Sequence, residues 1–388
     1  MSVWANDIKK LLATIDWFLV ITVFVSTIFG FILIVSATRV KGNSAQFRIL
    51  IVHIVAAIIG FVCMYILSKS DYNHMIKYWR YLYAFGVIIL IITYVFGSGD
   101  EVGNRSWIRL PIPGTGITVG GQPSEIVKIT FIMTFARHLD RVKDDINKPK
   151  NILLLGLHFI IILGLILIQG DLGTALVYIF IFLTMCFAAG VSLWYFLAGI
   201  FITVASSPLL WNLMGEYQRN RIIFGIHPEL DPLDVGYQAL TSKRAIGSGG
   251  LFGAGWGKGY YTQSDRIPEQ WTDFIYSAAG EEFGFIGAML ILILLTIIIV
   301  RIFIISRKAR NTVGSLICVG VMAIFIAHTV ENIGMCLGLL PVIGIPLPFF
   351  SYGGSSILGS LLAIGIVLSV NSRKNIYYFT RDENLDIF

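Results

Sequence analysis

Ten long apolar runs, spread along nearly the whole chain, are the feature that most constrains its fold. A helix needs about 20 apolar residues to cross the hydrocarbon layer of a membrane, and lipid forces such runs to be helical because it offers the backbone no hydrogen-bond partner. Of the 388 residues, 56% are hydrophobic and only 13% are charged, which is more apolar surface than a soluble globule can bury. The predicted spans are residues 16–38, 48–68, 77–97, 122–140, 150–168, 172–189, 193–214, 273–300, 312–339 and 352–372.

This composition excludes a soluble enzyme, a disordered chain and a nucleic-acid-binding domain. It predicts an all-α polytopic membrane protein with about ten transmembrane helices. No composition shift, repeat or low-complexity tract divides the chain. We therefore expect a single integral membrane domain over residues 1–388.

The distribution of lysine and arginine between the connecting loops predicts the orientation of the chain. Short cytoplasmic loops carry an excess of these residues. With the N-terminus inside, the inner segments hold 17 of them and the short outer segments hold 5, so both termini are predicted to be cytoplasmic. A 58-residue loop, 215–272, then lies outside between helices 7 and 8, together with loops 98–121 and 340–351. The inner loops are too short for a catalytic domain, so chemistry or recognition is expected at the outer face.

Residues 122–128 place a carboxylate and an ammonium group at the start of an otherwise apolar run. Glu125 and Lys128 are three residues apart, so they share one helix face and can pair. Charged side chains in a membrane span are costly and need a reason. Two interpretations stay open: a structural ion pair that lets a short helix sit in lipid, or a role in a polar substrate cavity.

Two further carboxylates mark the outer ends of predicted helices. Asp171 lies in the tight turn before the sixth span and suits an N-cap. Asp273 lies where the large outer loop meets the eighth span. Desolvation there favours a base that takes a proton from a hydroxyl, whereas the helix N-terminus stabilises the anion, so a catalytic base and a plain cap both fit. Glu281 and Glu282 follow deeper in the same helix, and at least one of them must face the protein interior.

Several other patterns carry narrower interpretations. Arg219 and Arg221 begin the large outer loop and fit either an anionic ligand such as a phosphate or lipid headgroups. The glycine-rich run 247–259 matches no nucleotide-binding spacing and indicates a flexible or closely packed re-entrant loop. The six histidines show no metal-binding spacing. In the ninth span, a hydrogen-bonded core network is predicted for His328, Glu331 and Asn332. In the tenth span, a small-residue strip for close helix packing is predicted for Ser355, Gly359 and Ala363.

Ten short motifs follow one another in a fixed order from about residue 100 to residue 370. They lie at 105–108, 122–128, 171–174, 228–232 after Arg221, 236–238, 245–250, 268–275, 281–284, 332–335 and 346–356. In wording and order they resemble the shape, elongation, division and sporulation family of RodA, FtsW and SpoVE. The sequence Asn-Ile-Gly-Met at 332–335 looks more like RodA than FtsW.

The resemblance implies a peptidoglycan glycosyltransferase that acts on lipid II, a disaccharide-pentapeptide carried on undecaprenyl pyrophosphate. Asp273 matches the family's essential acidic residue. Two departures stand near the site: Trp271 occupies a position that is usually His, so no proton relay is expected there, and Gly170 occupies a position that is usually Pro. The candidate substrate-binding residues are Arg48, Arg105, Trp107, Glu125, Lys128, Asp171, Arg221, Glu281 and Ser355. Of these, the positions that match the lining or support of the family's central cavity are Trp107, Glu125, Lys128 and Asp171.

In the implied reaction Asp273 deprotonates the acceptor sugar 4-hydroxyl, which attacks the donor anomeric carbon with inversion while lipid pyrophosphate leaves. Arg48, Lys128, Arg221 or a divalent cation, Mg²⁺ or Mn²⁺, would neutralise the leaving group, and the sequence does not choose among them. The expected partners are a class B penicillin-binding protein and other elongasome or divisome membrane proteins. The expected location is the bacterial cytoplasmic membrane, with the active site facing outside. The alternatives are a lipid II flippase and a non-catalytic scaffold for the transpeptidase.

Overall fold

Long α-helices occupy the positions of the apolar runs. The computed structural model describes residues 15–98, 105–112, 117–216, 219–220, 223–224, 228–231 and 235–373. Within these residues the helices are α1 (Trp17–Ala37), α2 (Asn43–Lys69), α3 (Tyr72–Lys77), α4 (Trp79–Phe96), α5 (Ser124–Val142), α6 (Pro149–Ile168), α7 (Leu172–Ala188), α8 (Leu193–Leu213), α9 (Val235–Ser248), α10 (Tyr260–Gln263), α11 (Ile275–Arg307), α12 (Thr312–Cys336) and α13 (Gly354–Ser372).

Ten of these helices coincide with the ten predicted spans, and the all-α polytopic fold is confirmed. Seven are long and apolar enough to cross a membrane, and α7 and α8 add shorter apolar stretches. The tenth is α5, whose polar residues at both ends lower its hydropathy below that of the others. The short helices α3, α9 and α10 lie in the connections.

One element of the described chain departs from the all-helical prediction. In the outer loop 98–121, strand β1 (Ile108–Ile112) pairs antiparallel with strand β2 (Ile117–Gly121). The strands are joined to the end of α4 by the backbone N–H of Ser98, which donates to Trp107 O at 2.9 Å. The hairpin leads directly into α5 and so fixes where that helix begins.

Side-chain caps define where the spanning helices begin. Asp16 Oδ1 accepts a hydrogen bond from Leu19 N at 3.1 Å at the start of α1. The same carboxylate pairs with Arg301 on α11, with 2.8 Å between Asp16 Oδ2 and Arg301 Nε. Asn311 caps α12 by accepting from Gly314 N at 2.8 Å. Each cap satisfies N–H groups that the first helical turn leaves without a partner.

The centre of the molecule is formed by α12 and α13, most of whose residues are buried. Helix α13 packs along α2, and it approaches α5 closely at Gly359. A Cβ at Gly359 would lie 3.4 Å from the Glu125 carbonyl oxygen, so only a small residue allows this approach. The predicted packing strip on α13 is confirmed at this position.

Helix α11 is broken at Gly284, where φ is 65° and ψ is −162°, a conformation that favours glycine. A break inside a membrane protein frees backbone groups that must find new partners. The glycine-rich run supplies them: Ala254 N donates to Glu281 O at 2.9 Å, and Phe285 N donates to Gly250 O at 2.9 Å. The run is therefore a closely packed loop that fills the break, one of the two forms that the sequence predicted.

Candidate active site

The backbone around Asp273 is held by hydrogen bonds from distant segments. Tyr352 N donates to Trp271 O at 2.8 Å, Ser351 Oγ donates to Thr272 O at 2.5 Å, and Asn332 Nδ2 donates to Asp273 O at 2.7 Å. Three successive carbonyl groups are thus fixed by α12 and by residues 337–353, which we call the return loop. A carboxylate on such a backbone is positioned before any ligand arrives.

The Asp273 side chain is half-buried and lies against the return loop. At Gly344 the backbone has φ +81°, and a Cβ there would lie 3.0 Å from Asp273 Oδ2. Asn332 is fully buried, and its Nδ2 also donates to Ile345 O at 2.7 Å. One amide side chain therefore ties the Asp273 backbone to the segment that packs against its carboxylate.

A lysine from the first outer connection stands beside this segment. Lys41 Nζ lies 4.6 Å from the centroid of the Trp271 ring and 3.3 Å from Asp265 Oδ2. Trp271 is half-buried, so the indole offers Lys41 a face for a cation–π contact. Lys41 was not among the predicted site residues because it is far from Asp273 in the sequence.

A second polar cluster joins the start of α5 to the starts of α7 and α13. Asp171 Oδ1 accepts from Thr174 N at 3.0 Å, so its predicted role as the N-cap of α7 is confirmed. Its other oxygen, Oδ2, accepts from Gln122 Nε2 at 2.6 Å. Gln122 N in turn donates to Ser355 Oγ at 2.9 Å. Two predicted substrate-binding residues, Asp171 and Ser355, are therefore brought together through Gln122, to which the sequence assigned no role of its own.

Glu125 and Lys128 form the predicted ion pair, with 2.6 Å between Lys128 Nζ and Glu125 Oε1. Their side chains are only 8% and 2% exposed. Lys128 Nζ also lies 3.0 Å from His328 Nε2, and His328 Nδ1 lies 3.0 Å from Pro346 O. Because an ammonium group only donates, Nε2 accepts and Nδ1 carries the proton that bonds the Pro346 carbonyl. The pair is thus connected to the return loop that contacts Asp273.

The space beside this ion pair is small. A cavity of about 10 Å³ is bounded by α5, α12, α13 and the return loop, which is near the minimum volume for one water molecule. Its lining residues are Glu125, Lys128, Ile324, His328, Pro348, Gly359 and Ser360. A sugar does not fit there. In this conformation the Glu125–Lys128 pair therefore supports the return loop beside Asp273 through His328.

The predicted core network in α12 is present in part. His328 and Asn332 each bond a carbonyl of the return loop, at Pro346 and Ile345. Glu331 does not join them, and its Oε2 is buried without a hydrogen-bond partner among the described residues. The network therefore fastens the return loop to α12 through two of the three predicted residues.

The remaining predicted positions are placed as follows. Arg48 is exposed on α2, and Arg105 is exposed before the hairpin, with its backbone N donating to Gln169 O at 3.0 Å. Trp107 is half-buried and packs its ring near Gly120. Arg221 lies outside the described residues.

Glu281 takes a position that differs from the predicted substrate contact. Both of its carboxylate oxygens are occupied by the short helix α10: Tyr261 N donates to Oε1 at 2.7 Å, and Thr262 N donates to Oε2 at 2.8 Å. Thr262 Oγ1 donates to Oε2 as well, at 2.7 Å. The side chain is 1% exposed. This geometry gives Glu281 a structural role, in which it anchors the outer loop to the first segment of α11.

These observations describe an integral membrane protein with a pre-positioned carboxylate at the end of a spanning helix. A model of the family of cell cycle proteins FtsW, RodA and SpoVE matches residues 16–376. The chain belongs to this family.

Named relatives agree with this assignment. The chain is 36% identical over 321 residues to the peptidoglycan glycosyltransferase MrdB of Escherichia coli K12, covering 81% of this chain and 83% of the relative. It is 30% identical to the peptidoglycan glycosyltransferase RodA of Treponema pallidum, covering 92% and 98%. It is 35% identical to a probable peptidoglycan glycosyltransferase FtsW of Trichlorobacter lovleyi, covering 93% and 94%.

Solved structures have the same fold. One comes from work on the structural coordination of polymerization and crosslinking by a peptidoglycan synthase complex; it superposes with a TM-score of 0.77 at 27% identity and covers 96% of this chain and 99% of that chain. The rod shape determining protein RodA of Thermus thermophilus gives a TM-score of 0.67 at 26% identity, covering 96% and 98%.

Proposed function

We propose that this protein is a peptidoglycan glycosyltransferase that polymerises lipid II at the outer face of the bacterial cytoplasmic membrane, with Asp273 as its general base. The observation that carries the proposal is the fixation of Trp271, Thr272 and Asp273 through their three carbonyl groups. A plain helix cap needs no such support, whereas a base must be held within hydrogen-bond reach of the proton that it removes.

The proposed reaction uses this placement. Asp273 accepts the proton of the acceptor sugar 4-hydroxyl, and the freed oxygen attacks the donor anomeric carbon. The bond from that carbon to the pyrophosphate oxygen breaks, undecaprenyl pyrophosphate leaves, and the configuration inverts. General-base catalysis of this kind contributes about 10²–10⁴ in rate.

The leaving group requires positive charge at the outer surface. Lys128 is engaged with Glu125 and His328 beside a cavity of about 10 Å³, so we assign it a supporting role. Arg48 and Arg105 are exposed, and their guanidinium groups suit phosphate oxygens. Together with Arg221, they are the residues that we propose to meet the pyrophosphate.

Resident metal ligands are not part of this proposal. Within the described residues, no three His, Cys, Asp or Glu side chains lie close enough to hold an ion. The divalent cation, Mg²⁺ or Mn²⁺, that the resemblance allows stays a prediction, and no step is routed through a metal.

The proposed partner is a class B penicillin-binding protein, whose transpeptidase crosslinks the strands made here. One structural neighbour comes from a peptidoglycan synthase complex that coordinates polymerization and crosslinking. The high structural similarity, with a TM-score of 0.77, supports a comparable assembly for this chain. Other elongasome or divisome membrane proteins are expected to join it.

Polymer formation by the purified protein tests the function. The full-length protein is mixed with lipid II, and product length is read on a gel with and without a class B penicillin-binding protein. We expect glycan chains that grow with time. Transport of lipid II in sealed vesicles without any polymer would support a flippase instead. No polymer and no transport, with the transpeptidase still bound, would leave only the scaffold.

A further inference from the structure

An open cleft lies at the opposite end of the molecule from Asp273. It forms where three connections on the basic, predicted cytoplasmic side meet: the short helix α3, the end of α5 and the start of α12. Its volume is about 400 Å³, within the usual range for ligand sites. The lining residues are Asn73, Ile76, Lys77, Arg137, Asp140, Lys143, Asn311, Thr312 and Val313.

The charge of this cleft is unbalanced. Arg137 Nη1 donates to Asp140 Oδ2 at 3.0 Å, and Lys143 Nζ lies 3.4 Å from Asp140 Oδ1. One carboxylate thus serves two cations. Lys77 is exposed on the α3 side and makes no ion pair within the described part of the chain. The lining therefore carries three positive charges and one negative charge.

Other carboxylates nearby do not cancel this excess. Asp71 pairs with Arg373, with 3.2 Å between Asp71 Oδ1 and Arg373 Nε. Asp145 pairs with Lys148, with 2.9 Å between Asp145 Oδ2 and Lys148 Nζ. Asp144 is exposed in the same connection but does not line the cleft.

The first turn of α12 adds hydrogen-bond donors to the cations. Thr312 and Val313 begin this 25-residue helix, and both line the cleft. Asn311 caps Gly314 N and accepts from Tyr72 OH at 3.0 Å, which fixes the helix start in place. The first N–H groups of a helix and its dipole favour a bound anion. Three side-chain cations and a helix N-terminus therefore point to one anionic ligand.

The neighbouring side chains place the cleft at the level of lipid headgroups. Tyr78 directly follows Lys77 and Tyr81 comes three residues later. They are 54% and 76% exposed. Exposed tyrosines of this kind form belts at membrane–water interfaces. The floor of the cleft is apolar: it is formed by Ile76 and Val313, which are each only 5% exposed. A phosphate at this depth is most simply supplied by the surrounding leaflet.

We infer that this cleft binds the phosphate groups of an anionic phospholipid headgroup from the adjacent leaflet. Basic pockets at the cytoplasmic ends of spanning helices take such headgroups. The fork of Arg137 suits one phosphodiester, and Lys77 on the other wall suits a second. A headgroup with two phosphates, such as cardiolipin, should therefore bind more tightly than phosphatidylglycerol. This inference does not rest on the proposed glycosyltransferase function.

Lipid titration of the purified full-length protein in detergent tests the inference. The thermal unfolding midpoint is followed as cardiolipin, phosphatidylglycerol or phosphatidylcholine is added. For the variant K77Q/R137Q/K143Q, we expect the half-saturating cardiolipin concentration to rise about a hundredfold. Arg137→Lys keeps the charge but loses the fork, and it should give an intermediate value.

The matched control removes the same number of charges from the same face outside the cleft, as K148Q/K150Q/K308Q. Its half-saturating concentration should stay within about twofold of the wild type. Equal weakening in both triple variants would mean diffuse surface attraction and would overturn the site. Stabilisation of the wild type alone by inorganic phosphate or pyrophosphate, with none by lipid, would show a soluble anion site and overturn the lipid assignment.

Discussion

Replacing Lys128 by methionine removes the positive member of a buried ion pair while keeping the length of the side chain. Glu125 would then remain 8% exposed without its counter-charge. Removing one partner of a buried pair costs about 3–5 kcal/mol, and losing the bond to His328 Nε2 adds about 1 kcal/mol. For a chain of 388 residues, about 1 kcal/mol corresponds to roughly 1 °C in unfolding midpoint, so we expect Lys128→Met to unfold several degrees earlier.

Double variants separate the charge effect from the packing effect. E125Q/K128M buries no charge and should be more stable than Lys128→Met alone. The exchange E125K/K128E restores a pair but presents a carboxylate to His328. Neutral His328 would then donate from Nε2, and Nδ1 would lose the proton that bonds Pro346 O. We therefore expect only partial recovery of both stability and polymerisation in the exchange variant.

Thermal unfolding in detergent, with polymer formation from lipid II, measures these effects. Lys148→Met is the matched control, because Lys148 and Asp145 are also three residues apart, with 2.9 Å between Nζ and Oδ2, but are 65% and 57% exposed. Such an exposed pair contributes at most about 1 kcal/mol. The reasoning fails if Lys128→Met unfolds together with this control, or if E125Q/K128M is no more stable than Lys128→Met.

Two substitutions and one protease experiment test separate parts of the structure. Gly344→Ala should lower polymerisation by about tenfold or more, because the new Cβ would press on Asp273 Oδ2. Gly42→Ala is the control and should stay active, because Gly42 has a similar φ of +78° but a Cβ there would meet no atom within 4 Å. Glu281→Gln should cost about 2–4 kcal/mol of stability, because an amide nitrogen would face backbone N–H donors. The loop after α9 should then become accessible to protease. Unchanged stability with a raised KM for lipid II would instead support the predicted substrate contact. Residues 237–262 should resist protease in intact spheroplasts, and rapid cutting throughout them would contradict the packed loop.

Features set by neighbours in the sequence were the ones that could be predicted. The ten apolar runs give the ten long helices because hydrophobic length alone decides whether a helix can span. The Glu125–Lys128 pair and the Asp171 cap depend on spacings of three residues, which the helix geometry fixes. Even α5, the least apolar span, was among the ten predicted runs.

Features that depend on distant backbone contacts were missed. The break at Gly284 exists because the glycine-rich run pairs with it from outside, and no local pattern in 273–300 distinguishes a broken helix from a straight one. The same run brings α10 to Glu281, and no local pattern indicated the loop anchor that this carboxylate forms. Hairpin β1–β2 is a local feature that was also missed, although residues 113–116, Pro-Gly-Thr-Gly, are a turn signal between two short β-type runs.

The candidate site was predicted in its residues but not in its connections. Asp273 was identified from its place at the outer end of a span and from the family resemblance. Nothing in the sequence shows that Asn332 and Ser351 hold the carbonyls at 272 and 273, because those contacts join segments 59 and 79 residues apart. Asn332 was predicted only as a member of a core network in the ninth span, and Ser351 was visible only as part of a motif with no assigned role.

The polymerase rate of Asp273→Asn tests the central claim most directly. The substitution keeps the size of the side chain and removes the base. The matched control is Asp265→Asn, because Asp265 is an exposed carboxylate in the same outer loop and pairs with Lys41. With purified proteins and lipid II, Asp273→Asn should polymerise about 10²–10⁴ times more slowly than the wild type, while Asp265→Asn stays near the wild-type rate and both fold and bind the transpeptidase. Glycan chains made by Asp273→Asn at near wild-type rate would contradict the assignment of the base.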